Sequence, residues 1–206
     1  MPAEVAIESK ALIVNDMVIK GLIPKMGMDD FYAFCALNKD LHIERDREGN
    51  VIIMPPVYTE TGFYEGEAFG ELRSWNKKNG NPGRVFSPSA GFTLPNGAVR
   101  SADASWLSKE KWNALSKEAR KSFAPVVPEF IVEIRSSTDK EDKLYEKMEE
   151  WIENGVLLAW LLDPILEQAR VYRADGSISV IKSFEEALSG EEVLPGFTFE
   201  LSSLRS

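Results

Sequence analysis

The sequence predicts an α/β domain built around a mixed β-sheet, and three stretches carry that prediction. "PEFIVEI" and "VLLAWLLDP" are strand-length apolar runs, and "TDKEDKLYEKMEEWIENG" between them has helical periodicity. Residues 129–163 thus form a strand–helix–strand unit of the kind that joins parallel neighbours. "ARVYRADGSISVIKS" reads as a hairpin turning at Asp175-Gly176, so antiparallel pairs are expected in the same sheet. "VLLAWLL" is apolar at every position, the pattern of a centre strand covered on both faces.

The remaining elements follow in chain order. "MDDFYAFCALNKD" reads as a helix with Asp29 or Asp30 near its start, and Cys35 within it as a core residue. "LHIERDREGNVIIMPP" reads as two strands about a turn at Glu48-Gly49-Asn50. "ETGFYEGEAFGELRSWNKKNG" is a helix whose Phe63, Ala68, Leu72 and Trp75 approximate one face and which Gly80 ends. "RVFSPSAGFTLPNGAVRSADASWL" supplies short strands with a tight turn at "PNG". "SKEKWNALSKEARKSF" predicts an exposed charged helix, and Thr138 or Asp139 is the expected cap of the helix that follows "PEFIVEI". The expected organisation is a single domain over 51–206, with residues 1–50 an N-terminal extension, a helix and a hairpin packed on that core.

Charge and composition bound the function. A net charge of -9 argues against broad, non-specific nucleic-acid binding. Between Glu71 and Lys121, however, ten basic residues face four acidic ones, which leaves the rest of the chain at -15. That segment reads first as solvated helix faces and second as a phosphate-facing patch. A single cysteine rules out an internal disulfide framework, and with a single histidine, His42, it leaves no zinc site of the usual nitrogen and sulfur kind. His42 reads as structural. The opening residues do not read as a signal peptide, and no apolar run is long enough to span a bilayer, so a soluble, cytoplasmic protein with no membrane partner is expected.

The chemical question sits in "FIVEI". An ionised glutamate in a dry strand costs several kcal/mol unless it is paired or bound to a cation. Glu133 and Arg135 point to the same face of a strand, so a structural ion pair between them is one reading. A functional site is the other. Asp103, in "VRSADASWL", has the small neighbours Ser101, Ala102 and Ala104, which leave room for a close approach. On the following helix Leu144, Tyr145, Met148, Trp151 and Ile152 define the inward stripe, and Lys147 lies about 40° from Trp151 at its border. Lys147 either snorkels outward or points its ammonium at the strand ends. Two carboxylates and a lysine suit a hard, oxygen-ligated cation such as Mg²⁺ or Mn²⁺.

These residues resemble the Uma2 family, restriction endonucleases by name and abundant in cyanobacteria, within the PD-(D/E)XK nuclease superfamily. The resemblance rests on "RSADASW", "PEFIVEIRS", "KMEEW" and "GVLLAWLLDP" and runs from about Met54 to Leu201. It implies a restriction-endonuclease-like mixed sheet flanked by helices. It implies Asp103 and Glu133 as the metal-binding acids, with the backbone carbonyl of Ile134 as a further ligand. The family's proline before the first acid is Ala102 here, and Arg135 stands where the superfamily lysine would fall. Lys147 in "EKMEEW" matches the position to which the family's lysine has migrated. The resemblance also implies an acid from the helix before the first strands, with Glu67 the first choice and Glu60 the second.

The implied activity is Mg²⁺- or Mn²⁺-dependent hydrolysis of DNA phosphodiester bonds. Arg84 and Arg100 are expected to contact the DNA backbone within the segment from Arg73 to Arg100. Arg135 either clamps a phosphate oxygen or pairs with an acid. A homodimer is expected, since cutting both strands needs two sites. Two rivals stand beside this reading: a non-catalytic nucleic-acid- or protein-binding member that keeps the fold, and an oligomeric enzyme acting on something smaller than DNA.

Overall fold

The computed structural model describes residues 23–205 of the 206-residue chain. The part of the expected N-terminal extension before residue 23 lies outside them. Helix α1 (Met28–Leu37) is followed by the hairpin β1 (His42–Arg45) and β2 (Val51–Met54), and then by the long helix α2 (Thr59–Lys78). Four short strands come next: β3 (Gly83–Phe86), β4 (Phe92–Thr93), β5 (Val99–Arg100) and β6 (Ala104–Ser108). Helix α3 (Lys109–Ala114) leads to β7 (Phe130–Ile134), α4 (Glu141–Glu153) and β8 (Leu158–Asp163). The chain ends with β9 (Gln168–Arg173), β10 (Ile178–Ile181), β11 (Ala187–Ser189) and β12 (Thr198–Glu200).

The main sheet has the order β10-β9-β8-β7-β6-β3. Only β7 and β8 run parallel, and α4 connects them, as the strand–helix–strand pattern predicts. The other pairs are antiparallel, so the sheet is mixed. Strand β8 is central, and its first five residues are buried, which is why no polar alternation shows in its sequence. Gly176, at φ +82°, makes the tight β9–β10 turn that a β-carbon would strain.

Two cores flank this sheet. On one face Tyr64, Ala68, Leu72 and Trp75 of α2 pack with Val132, Trp160 and the C-terminal residues Phe184, Phe197 and Phe199. On the other face Met148 and Trp151 of α4 pack against Ile131, Ala159 and Leu161. Each fully buried residue such as Phe130 or Leu158 contributes roughly 1.5–3 kcal/mol through removal from water. A second sheet, β2-β1-β5-β4, carries α1 on a smaller core built by Phe31, Ile43, Val51 and Val99. Cys35 is only partly buried at its margin. The boundary expected near residue 50 falls in the turn of the β1–β2 hairpin, and β1 pairs onward with β5 through Arg45 and Val99.

Three local expectations differ from the structure. Phe63 is 46% exposed rather than facing the core. The charged helix after β6 is only six residues long, capped by the Ser108 hydroxyl accepting from Lys111 N, and the chain turns extended at Leu115. Ser116 then accepts from Ala119 N and starts a separate short turn, the competition by which serine interrupts helices. Neither Thr138 nor Asp139 caps α4. Asp139 accepts from Ser136 N and Thr138 meets the Ser136 hydroxyl, so both are spent in the preceding turn.

Candidate active site

The register of β6 on β7 brings the two strand acids together. Ala104 lies opposite Val132, so one step towards the strand end places Asp103 opposite Glu133. Asp103 sits in the bend just before β6, where its Oδ2 accepts from Ile134 N at 2.6 Å. Glu133 is 4% exposed, on the face covered by α4. Trp151 Nε1 donates to its Oε1 at 2.8 Å, and Lys147 Nζ donates to its Oε2 at 3.0 Å.

Lys147 points inward rather than snorkelling to solvent. Its ammonium also donates to the Ser101 carbonyl at 3.1 Å and lies 3.2 Å from Glu44 Oε1. Asp103, Glu133 and Lys147, 44 positions apart at their extremes, therefore occupy one spot at the C-terminal end of β7. The ion pair of Glu133 with Arg135 does not form: Arg135 instead meets Asp163 and Glu141, each at 2.7 Å.

Negative charge dominates the cluster. Burial raises the Asp103 carboxyl well above the usual range, and repulsion from Glu133 and then Glu65 adds to this. Lys147 and the Ile134 N–H offset only part of it. Burial also raises Glu133; Lys147 pulls it down and the charge of Glu44 pushes it up again. Glu65 is raised by burial and by Glu133. Burial alone would lower the Lys147 ammonium, but Glu133, Glu44 and Asp103 overturn that and hold it firmly protonated.

Two acids in this cluster escape the sequence reading. Glu65, not Glu67 or Glu60, is the α2 carboxylate whose charge reaches both strand acids. It lies about 20° from Leu72 on the helical wheel, whereas Glu67 lies about 140° away, so an acid on the core face was the available signal. Among the described residues no hydrogen bond or ion pair ties Glu67 to the cluster. Glu60 opens onto a different cleft of about 330 Å³, whose lining holds Arg135 but none of Asp103, Glu133 and Lys147. Glu44, on β1, is the other missed acid. Its alternation with buried Ile43 in a four-residue strand carries no signal that it turns towards α4.

The expected DNA contacts divide. Arg84 is exposed on edge strand β3 and free to meet solvent-borne groups. Arg100 is not available: its guanidinium is buried between Glu44 at 3.0 Å and Glu150 at 2.6 Å. Lys77 and Lys78 close α2, roughly 20 Å along its axis from Glu65, beside the opposite end of the sheet. His42 lies at the rim, exposed, with Nε2 3.2 Å from the Ser101 hydroxyl.

Asp103, Glu133 and Glu65 offer only carboxylate oxygens, the donors that Mg²⁺ and Mn²⁺ prefer. Their mutual repulsion, which Lys147 offsets only in part, is the observation that fits a divalent cation. Among the described residues no three histidines, cysteines or acids form a complete ligand set. A cation here would draw on the two strand acids, a backbone carbonyl and water, which suits Mg²⁺ because it dehydrates reluctantly.

A mixed sheet with two acids at adjoining strand ends and an amine from the crossover helix defines the class: a restriction-endonuclease-like fold. The chain belongs to the Uma2 family, whose model, described as "Putative restriction endonuclease", matches residues 28–202. A solved structure similar to it is that of "a putative nuclease belonging to DUF820" from Anabaena variabilis ATCC 29413. The two share 18% identity and a TM-score of 0.66, over 79% of this chain and 88% of the other. No curated protein matches the chain. The family supports a nuclease-type function. Among the described residues no helix is long and apolar enough to cross a membrane.

Proposed function

We propose that this protein is a Mg²⁺- or Mn²⁺-dependent endonuclease that hydrolyses DNA phosphodiester bonds. The observation that carries the reading is the convergence of Asp103, Glu133 and Lys147 at the end of β7. Asp103 and Glu133, with the Ile134 carbonyl, would hold the cation. When bound, it supplies an activated water and neutralises charge growing on the phosphate. Lys147 presents a fixed positive charge beside the same carboxylates, where it can orient the attacking water or stabilise the developing anion. Glu65 borders the site from α2. Arg84, exposed on edge strand β3, would add a backbone phosphate contact, which gives affinity without reading sequence. Arg135, tied to Asp163 and Glu141, serves the structure of the strand end. A homodimer would supply the two sites needed to cut both strands.

Supercoiled plasmid incubated with Mg²⁺ or Mn²⁺ tests this directly. Nicking or linearisation is expected, and Asp103→Ala or Glu133→Ala should remove it; cleavage that persists in both would refute the assignment. Calorimetry should show Mn²⁺ binding that both substitutions abolish.

A second reading is a non-catalytic nucleic-acid- or protein-binding member of the same fold. It draws support from Glu133, whose oxygens are already engaged by Lys147 and Trp151. It also draws on the lysines at the far end of α2. Under it the three groups stay together but Mn²⁺ does not bind, so the same calorimetry separates the two.

A further inference from the structure

Lys147 has three N–H donors, and three groups of the protein lie within reach of them. One meets Glu133, one the Ser101 carbonyl, and one faces Glu44. Two of these partners come from the second sheet: Glu44 from β1, and Ser101 from the segment directly after β5. Glu44 is itself held hard. It is 3% exposed, accepts from Ser101 N at 2.9 Å and pairs with Arg100 at 3.0 Å. Arg100 in turn pairs with Glu150, three residues beyond Lys147 on α4. The result is a closed ring, Lys147 to Glu44 to Arg100 to Glu150 and back along the helix. It ties β1 and β5 to α4.

The ring has a consequence for any cation that approaches Glu133. A divalent ion and an ammonium compete for the same carboxylate oxygens and repel each other. An ammonium held by Glu133 alone would either block the ion or be driven out into solvent. Here it has a second buried carboxylate to hold it. Removal of a partner from a buried, hydrogen-bonded charge is costly, so an ammonium that keeps Glu44 and Ser101 stays where it is. We propose that Glu44 is a positioning residue: it anchors Lys147 beside the strand acids when Glu133 turns to a cation. This rests on the reading of Lys147 as the catalytic amine. Glu44 touches neither substrate nor the reacting atoms and acts through Lys147.

The test follows the ammonium itself by ¹⁵N side-chain NMR of lysine-labelled protein, with the Lys147 signal identified by its loss in Lys147→Met. In the wild type a slowly exchanging Lys147 signal is expected without metal and after addition of Mg²⁺. In Glu44→Gln it should exchange several-fold faster without metal and vanish when Mg²⁺ is added. Plasmid cleavage by that variant should show kcat reduced between about tenfold and a hundredfold with KM unchanged, and Glu44→Asp should recover part of the loss. A Lys147 signal that behaves in folded Glu44→Gln as in the wild type would overturn the proposal. Should Glu44→Gln fail to fold, Glu44→Asp replaces it: its carboxylate is a methylene shorter, so faster exchange is again expected and unchanged exchange is again fatal. If Mg²⁺ shifts no signal and no plasmid is cut, the nuclease reading falls, while the metal-free exchange rates still decide whether Glu44 anchors Lys147.

Discussion

Strand β7 has a buried glutamate at each end, and the two differ in everything but burial. Glu129, directly before the strand, is 8% exposed; Glu133, its fourth residue, is 4% exposed. Glu129 accepts from Ser108 N at 3.0 Å, where β6 gives way to α3, and lies 3.6 Å from Lys111. One acid there meets one amide and one lysine. Glu133 shares a single lysine with Glu44, and Asp103 and Glu65 crowd the same space. Burial of an acid therefore does not mark a site. A surplus of carboxylates over the cations that face them does, because it calls for a further cation or a proton to relieve it.

The largest effect expected from this contrast is catalytic. Glu133→Ala or Asp103→Ala should reduce plasmid cleavage by on the order of 10³-fold, the scale of losing a metal's several kcal/mol of transition-state stabilisation. Next comes the shared lysine. Lys147→Met should lower cleavage by about 10²-fold or more. It should also destabilise the fold by about 3–5 kcal/mol in urea melts, since Glu133 and Glu44 lose their common partner. Lys111→Met, at the other end, removes a long, partly exposed pair and the bond Lys111 donates to the Val127 carbonyl at 2.9 Å, and should change stability by about 1 kcal/mol.

The helix acid sharpens the comparison further. Glu65→Gln should slow cleavage by about tenfold, as loss of a group bordering a metal site does, while Glu67→Gln leaves the rate unchanged. Equal effects in both would show that α2 contributes no specific carboxylate. The smallest effect on cleavage belongs to Glu129. Glu129→Ala strands the Ser108 amide and should cost about 1–3 kcal/mol of stability, read from the shift of the urea midpoint, with cleavage per folded molecule unaltered. A fall in rate there would erase the distinction between the two ends of the strand.

Much of the architecture was legible in the residues. Apolar runs at 130–134 and 158–163 around an amphipathic helix specify a parallel pair, and "DG" at 175–176 specifies a hairpin. Glu133 and Lys147 drew notice because a charge on an inward face contradicts local pattern. Glu65 carried the same signal. It lies about 20° from Leu72, on the buried face of α2, while Phe63 lies on the exposed side. Arg100 reads as a surface base in a basic segment. Its burial depends on Glu44 and Glu150, which lie 56 and 50 positions away, and nothing near it in the chain says so.

The sequence by itself determined the elements, the mixed sheet and the presence of acids where an apolar strand should have none, because these follow from side-chain periodicity along a few neighbouring residues. Tertiary structure alone decided which acids meet. Pairing of β1 with β5 brings Glu44 to Lys147, the β6–β7 register sets Asp103 against Glu133, and the packing of α2 brings Glu65 within reach of both. Electrostatic interaction depends on distance through space, and distance through space is fixed only when the sheets and helices have packed.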